Sequence, residues 1–355
     1  MVSDPLRTRF CDLAGCDIPV VQTGMGWVSG ARLTAATSAA GGFGILAAVT
    51  MTPEQLHQQV REVQERTDRP FGVNFRADQP DLAERVAFVV DHGVRLVSFA
   101  GAPTADAVAR CHDAGVLVMP TVGARRHAEK VLAMGVDAVI AQGGEGGGHT
   151  GPVPTTLLLP DVVDAVAAEI PVLAAGGFFD GRGLVAALAY GADGIAMGTR
   201  FLLTQESRVP DIVKQRYLAA SPTDTVVTTA IDGAPQRVLR TDVVDRIERS
   251  PRLLRFPRAA AAALRFRKET GTSLKDLVRE GIAMRRNQDL SWSQVALAAN
   301  APMLIKASMV DGRPDVGILP TGQVAGVVGE VPSVAGLLTR IRDEAEATLK
   351  RLGDR

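Results

Sequence analysis

The chain is poor in cysteine, with three in 355 residues, at positions 11, 16 and 111. An odd count fits no disulfide framework, and the Cys11–Cys16 spacing has no companion CxxC or histidine pair to make a metal site. Net charge is missing too. Acids and bases number 39 each, so no global field points to nucleic acid or a membrane surface as a partner. No apolar run is long enough to span a bilayer. The first residues lack the charged stretch, apolar run and small-residue cleavage site of an export signal. There is no low-complexity tail. These absences lead to the expectation of a reduced, soluble, cytoplasmic protein without a metal.

What is present is a regular alternation. Hydrophobic residues make up 46% of the chain, enough for one large core or two modest ones. From residue 19 to about 220, short β-rich runs alternate with longer helical patterns, which is the signature of βα units around a parallel sheet. The strand candidates are PVVQTGM (19–25), FGILAAV (43–49), FGVNFR (71–76), RLVSFA (95–100), VLVMPTV (116–122), AVIAQG (138–143), PVLAAGG (171–177) and GIAMGTRF (194–201). Several are apolar almost throughout, as strands buried on both faces should be. Amphipathic stretches such as 53–67 and 81–93 lie between them, and many close on a glycine near the C-cap (Gly93, Gly115, Gly135, Gly191).

Eight such units predict an α/β fold, a (β/α)8 TIM barrel. A doubly wound open sheet would carry GxGxxG after its first strand and an acid ending its second. Here the first turn reads GMGWVSG and FGILAAV ends without an acid. The expected organisation is a barrel over 1–220 and a mainly helical, arginine-rich insertion over 221–320 packed on the barrel mouth. A return segment with a final helix would then occupy 321–355.

The site of a barrel lies at the C-terminal ends of its strands. Gln22, Thr23, Gly24 and Met25 fall there, with Asn74, Arg76, Ser98, Gln142, Gly176, Gly177, Met197, Gly198 and Thr199. Amides, hydroxyls and glycines collect at one rim, with few charges. AAGGFFDGRG (174–183) and AMGTRFL (196–202) place glycines where strands seven and eight turn into helices. That is where barrels commonly bind phosphate. The plainer alternative is that these glycines only permit tight turns. AQGGEGGGHTG (141–151) packs six glycines around Glu145 and His149. An imidazole titrates near neutrality and suits a base, although a structurally satisfied histidine is the other reading. Glu145 is expected to orient this loop, and Asp180 and Arg182 to cap and pin the helix that follows. Trp27 is either a lid edge over substrate or an ordinary core tryptophan.

PVVQTGMGW, FGVNFR, AQGGEGGGHTG, AAGGFFDGRG and AMGTRFL resemble the nitronate monooxygenase (2-nitropropane dioxygenase) family of FMN-dependent barrels, which also includes flavin-dependent enoyl-ACP reductases. The resemblance covers about residues 15–205 and the GQ-containing segment near 322, with the motifs in family order. It implies that Gly24 and Met25 lie against the flavin, Met25 through its backbone, and that Asn74 and Gln142 hydrogen-bond the isoalloxazine. Gly147, Gly176 and Gly177 would line the cofactor, Ala196, Met197, Gly198 and Thr199 would hold its phosphate, and Gln323 would lie near the flavin. His149 aligns with the histidine that many members use as a base or substrate-orienting group.

GGEGGGHTGPVPTTLLLP, AAGGFFDGRG and LSWSQVALAANAPML together resemble a narrower branch, the flavin-dependent CoA-thioester dehydrogenases of bacterial steroid C/D-ring degradation. That likeness implies a double bond introduced beside the thioester of a hydroxylated methyl-oxo-octahydroindene carboxyl-CoA, with NAD as final acceptor. Arg246, Arg249, Arg252, Arg255, Arg258, Arg265, Arg267 and Lys268 outnumber the acids near them. Arginine forks suit the phosphates of an acyl-CoA, but a solvated face or salt bridges in a homo-oligomer explain them better. Nitronate oxidation with FMN and oxygen is the alternative activity. A flavin-free sugar-phosphate isomerase or synthase barrel is the alternative of another class; it would keep the phosphate loops without needing Met25, Asn74 and Gln142 to converge. A non-enzymatic scaffold would not gather polar groups at the strand ends.

Overall fold

The computed structural model describes residues 4–249 and 301–354. Its centre is a closed parallel barrel of β1 (Val20–Gln22), β2 (Phe43–Ala47), β3 (Gly72–Arg76), β4 (Leu96–Ala100), β5 (Leu117–Val122), β6 (Val139–Gln142), β8 (Val172–Ala175) and β9 (Gly194–Met197), with β9 returning to pair with β1. All eight predicted strands form, in the expected order. The eighth is shorter than its run suggested, because Thr199 already begins a helical turn, Thr199–Leu202. The two-residue strand β7 (Gly148–His149) lies outside the barrel.

Alternation of side chains along each strand divides the apolar residues into two layers. Val21, Phe43, Ile45, Leu96, Met119, Ile140, Leu173, Ala175 and Ala196 fill the inside of the barrel. Their neighbours Val20, Leu46, Val97, Val139, Val172 and Ile195 pack outward against the helices. Helix α1 (Arg9–Ala14) adds Phe10, Cys11 and Ala14 to the inner cluster and so plugs one end. The three cysteines are buried free thiols. Phe10 is fully buried and meets Phe43 edge-on, with centroids 6.0 Å apart. Phe10→Ala is therefore expected to lower unfolding free energy by about 3–5 kcal/mol, read as an earlier urea midpoint.

Local sequence sets the outer helices. In α3 (Pro53–Arg66), Thr52 and Gln55 form a reciprocal capping box with proline in the first turn. Its buried residues Leu56, Val60 and Val63 follow one helical face. Asp180 caps α8 (Gly181–Ala189) by accepting from the Gly183 N–H at 2.9 Å, and Arg182 pins that carboxylate at 2.7 Å. The ring is completed from far along the chain. The long helix Val334–Gly353 packs against α8 and against α2 (Ala31–Ala39), burying Val334, Leu337, Leu338, Ile341 and Ala345 in the outer layer. Gly181 is pressed to the backbone of Ile341, where no side chain fits.

Between β9 and that helix, residues 225–239 form an antiparallel hairpin, β10 (Thr225–Thr228) and β11 (Gln236–Leu239), with β7 added along β11. Ile231, Val238, Val243, Val244, Ala301 and Ile318 make a small core of their own beneath it. Arg246 and Arg249 belong to the helix Asp242–Arg249, where Arg249 faces Asp245 at 3.8 Å. The other cations of the arginine-rich stretch, Arg252 to Lys268, lie outside the described residues. No helix among the described residues is long and apolar enough to cross a membrane.

Candidate active site

The inward-facing series of the barrel changes character at its C-terminal end. Two residues beyond Val21, Leu96, Met119 and Ile140 stand Thr23, Ser98, Thr121 and Gln142, and Asn74 follows Gly72 on β3. A two-residue period thus converts the barrel floor from hydrocarbon to hydroxyls and amides. Glycines occupy the same places on the last strands, Gly177 after Ala175 and Gly198 after Ala196. The Asn74 amide is held by the Ser98 hydroxyl at 3.3 Å. Gln22 points the other way. It is fully buried, and its amide nitrogen donates to Ser29 Oγ and to the Ile45 carbonyl, at 2.9 and 3.0 Å. It braces the turn after β1 rather than lining the site.

That turn lies close against the floor. A Cβ on Gly24 would collide with the Asn74 side chain, and one on Gly198 would meet Thr23 Oγ1 and Met25 Sδ at 3.3 and 3.4 Å. The Met25 N–H is spent on Ser29 Oγ at 2.9 Å. Trp27, next in the turn, has φ of 67°, the one positive value outside glycine among the described residues. Its indole packs on the outer core, with a buried Nε1 that has no partner.

The glycine loop carries the densest bonding. Glu145 accepts from Thr155 Oγ1 at 2.6 Å and from the Thr155 N–H at 3.0 Å, tying the loop to the start of α7 (Thr155–Val166), where a carboxylate is favoured by the helix dipole. Gly176 and Gly177 follow β8 with φ of 97° and 86°. Gly176 packs on Gly143 and Gly146, a place with no room for a side chain. The segment 319–323 lies across the loop from the other side. Gly322 N–H donates to Thr199 Oγ1 at 2.9 Å, the Gln323 N–H to the Glu145 carbonyl at 3.1 Å, and Gly147 packs directly on the backbone of Thr321 and Gly322. Ala196 is buried within the barrel and Met197 in the outer layer. Met197 can offer a ligand only its backbone, and its carbonyl already accepts from the Thr23 N–H at 3.1 Å.

His149 stands at the edge of this network. Gln142 Nε2 donates to its carbonyl at 2.8 Å, and its own Nε2 lies 2.8 Å from Asp232 Oδ2. The imidazole is 66% exposed and the Asp232 side chain 7%. Arg237 on β11 donates to the Gly144 carbonyl through Nη2 and Nε, at 2.8 and 3.2 Å. Burial pulls its guanidinium below the ordinary value, with nearby Glu145 pulling the other way. No cluster of three or more histidine, cysteine or acidic side chains suited to a metal occurs among the described residues.

The sequence matches the description of nitronate monooxygenase over residues 7–87 and 82–344. The chain belongs to the nitronate monooxygenase family. Within that family it is 55% identical over 337 residues, 95% of each chain, to the (3aS,4S,5R,7aS)-5-hydroxy-7a-methyl-1-oxo-octahydro-1H-indene-4-carboxyl-CoA dehydrogenase of Mycobacterium tuberculosis. It is 52% identical over 348 residues, 98% of each chain, to the enzyme of the same name from Rhodococcus jostii. Among solved structures, FabK from Thermotoga maritima superposes with a TM-score of 0.79 at 33% identity, over 98% of this chain and 99% of that one. With dehydrogenases and monooxygenases as relatives, this member of the nitronate monooxygenase family is an oxidoreductase.

A flat anionic cofactor fits the residues present. Gly24, Asn74, Gly147, Gly176, Gly177, Gly198, Thr199 and Gln323 are linked through one contact network at the barrel mouth, and the few charges there are already engaged with protein partners. What the sequence reading missed is the hairpin that supplies Asp232, Gln236 and Arg237. The signal was there in TVVTTAIDGAPQRVL: two β-rich runs around an Asp-Gly turn.

Proposed function

We propose that this protein binds FMN and catalyses the α,β-dehydrogenation of a CoA thioester whose acyl group is a hydroxylated, methyl- and oxo-substituted hydrindane from steroid C/D-ring degradation, with NAD as the final acceptor. The observation that carries the reading is the likeness at 55% and 52% identity, over nearly the full chains, to dehydrogenases named for that substrate. When bound, FMN would supply the two-electron acceptor for a hydride leaving the carbon next to the acidified one.

The chain's own groups do the rest. Gly24 and the Met25 backbone would lie against the ring system, Asn74 and Gln142 would hydrogen-bond it, Gly147, Gly176 and Gly177 would let it approach the backbone, and Gln323 would border it. Ala196, Met197, Gly198 and Thr199 would hold its phosphate, Met197 through its backbone alone. His149, two-thirds exposed at the end of the glycine loop, would take the proton made acidic by the thioester. The family's own name supports a second reading, oxidation of an alkyl nitronate with oxygen.

Anaerobic mixing of the FMN-loaded protein with a hydrindane CoA thioester, and separately with a nitronate, distinguishes the two. Rapid bleaching of the flavin by the thioester alone is the expected result, with colour restored on adding NAD. Bleaching by the nitronate alone would overturn the dehydrogenase reading. Colourless, folded protein with no affinity for FMN would remove both.

A further inference from the structure

Asp232 is a buried carboxyl that the reaction outlined above leaves unused, and two of its three hydrogen-bonding neighbours among the described residues give it a hydrogen. Its Oδ1 accepts the Ala234 N–H at 3.1 Å and its Oδ2 accepts the side-chain amide of Gln236. The third neighbour, at 2.8 Å from the same Oδ2, is His149 Nε2. An ionised carboxylate only accepts, so the imidazole nitrogen facing it must carry a proton. In a neutral imidazole the other nitrogen then holds the lone pair.

One hairpin sets both partners. His149 pairs with Gln236 across the antiparallel ladder, and the Thr150 N–H donates to the Pro235 carbonyl at 3.1 Å. Asp232 sits in the turn of the same hairpin, four residues before Gln236, where Gly233 at φ of 93° completes the bend. Arg237, the next residue along, grips Gly144 at the start of the loop. Imidazole, carboxylate and glycine loop are thus held in one register.

We propose that Asp232 is a positioning residue that fixes His149 as its Nε2–H tautomer, so that Nδ1 is the atom that removes the substrate proton; this rests on the reading of His149 as the base. In that step the bond between hydrogen and the carbon beside the thioester breaks, an Nδ1–H bond forms, and the electron pair stays on the substrate as the enolate. The imidazolium so formed places its new positive charge against the Asp232 carboxylate, which stabilises it without taking a proton.

The test uses the FMN-loaded enzyme labelled with ¹⁵N in histidine, of which the chain has five. Two-bond ¹H–¹⁵N spectra report which ring nitrogen is protonated, and the His149 signals are those missing from His149→Ala. The parent enzyme is expected to show Nε2–H at His149. Asp232→Asn should lose that preference and slow substrate-driven bleaching by about 10²–10⁴-fold, a size set by general-base catalysis and by the serine-protease precedent for an amide in this place. Thioester binding should persist, and Asp232→Glu should recover Nε2–H and part of the rate. An Nδ1–H tautomer in the parent, or bleaching at the parent rate in Asp232→Asn, would overturn the proposal. Should Asp232→Asn not fold, the parent spectrum decides alone. Bleaching at the parent rate in His149→Ala would instead defeat the base assignment, whatever the tautomer, so the two failures are separable.

Discussion

His149→Ala is expected to slow thioester-driven flavin bleaching by about 10²–10⁴-fold, the ordinary worth of a positioned general base, while leaving the fold and thioester affinity in place. The imidazole is two-thirds exposed, and its one hydrogen-bonding partner among the described residues is Asp232. Nothing in the core leans on it, so deletion leaves no buried cavity. The backbone pairing of β7 with β11 and the bond from Gln142 to the His149 carbonyl involve main-chain atoms that alanine keeps. Stopped-flow bleaching measures the rate, and equilibrium titration with the thioester measures affinity. A loss of binding that equals the loss of rate would show that the side chain recognises substrate instead of moving a proton.

Gly147→Ala should act through architecture. A Cβ there would lie inside contact distance of the Thr321 and Gly322 backbones, and main chain cannot rotate away as a side-chain tip can. Overpacking of this kind costs about 1–3 kcal/mol. Relief requires lifting 319–323 off the loop, which also releases the bonds from Gly322 to Thr199 and from Gln323 to Glu145. The expected outcome is a lower urea midpoint together with loss of FMN on dilution, since Thr199 and Gln323 are both proposed to face the cofactor. Gly151→Ala is the control: a Cβ there meets only the Gly123 carbonyl at 3.8 Å, so its midpoint and FMN retention should match the parent. Equal stability of the two variants would show that the packing of 319–323 on the loop does not depend on Gly147.

The barrel was legible because its signals are local. Each strand is a short apolar run and each intervening helix shows its own period, so eight units could be counted without knowing any contact. The polar rim followed from the residues at the C-terminal ends of the apolar runs, Thr23 and Gln142 among them. The strained Trp27 and the outward turn of Gln22 were not legible, since each depends on neighbours brought in by folding: Ser29 and Ile45 for Gln22, the loop near Thr50 for Trp27. The pairing of His149 with Asp232 spans 83 positions. Nothing near either residue announces the other, and only the hairpin register brings them together. The phosphate loops and the glycine loop could be read as candidates from composition, but the strap at 319–323 that closes over Gly147 could not.

The helix Val334–Gly353, which fills the slot between α8 and α2, also bears on how the protein is made. Arg342 on that helix reaches back to Asp4 at 2.9 Å and to the Asp17 carbonyl at 3.1 Å, joining it to residues 338 and 325 positions earlier in the chain. Until residues 334–353 are synthesised, the flanks of α8 and α2 that they pack against lack that cover. A nascent chain must therefore carry an open seam until this segment has emerged, with the slow, long-range contact that seals it forming after the barrel strands are made.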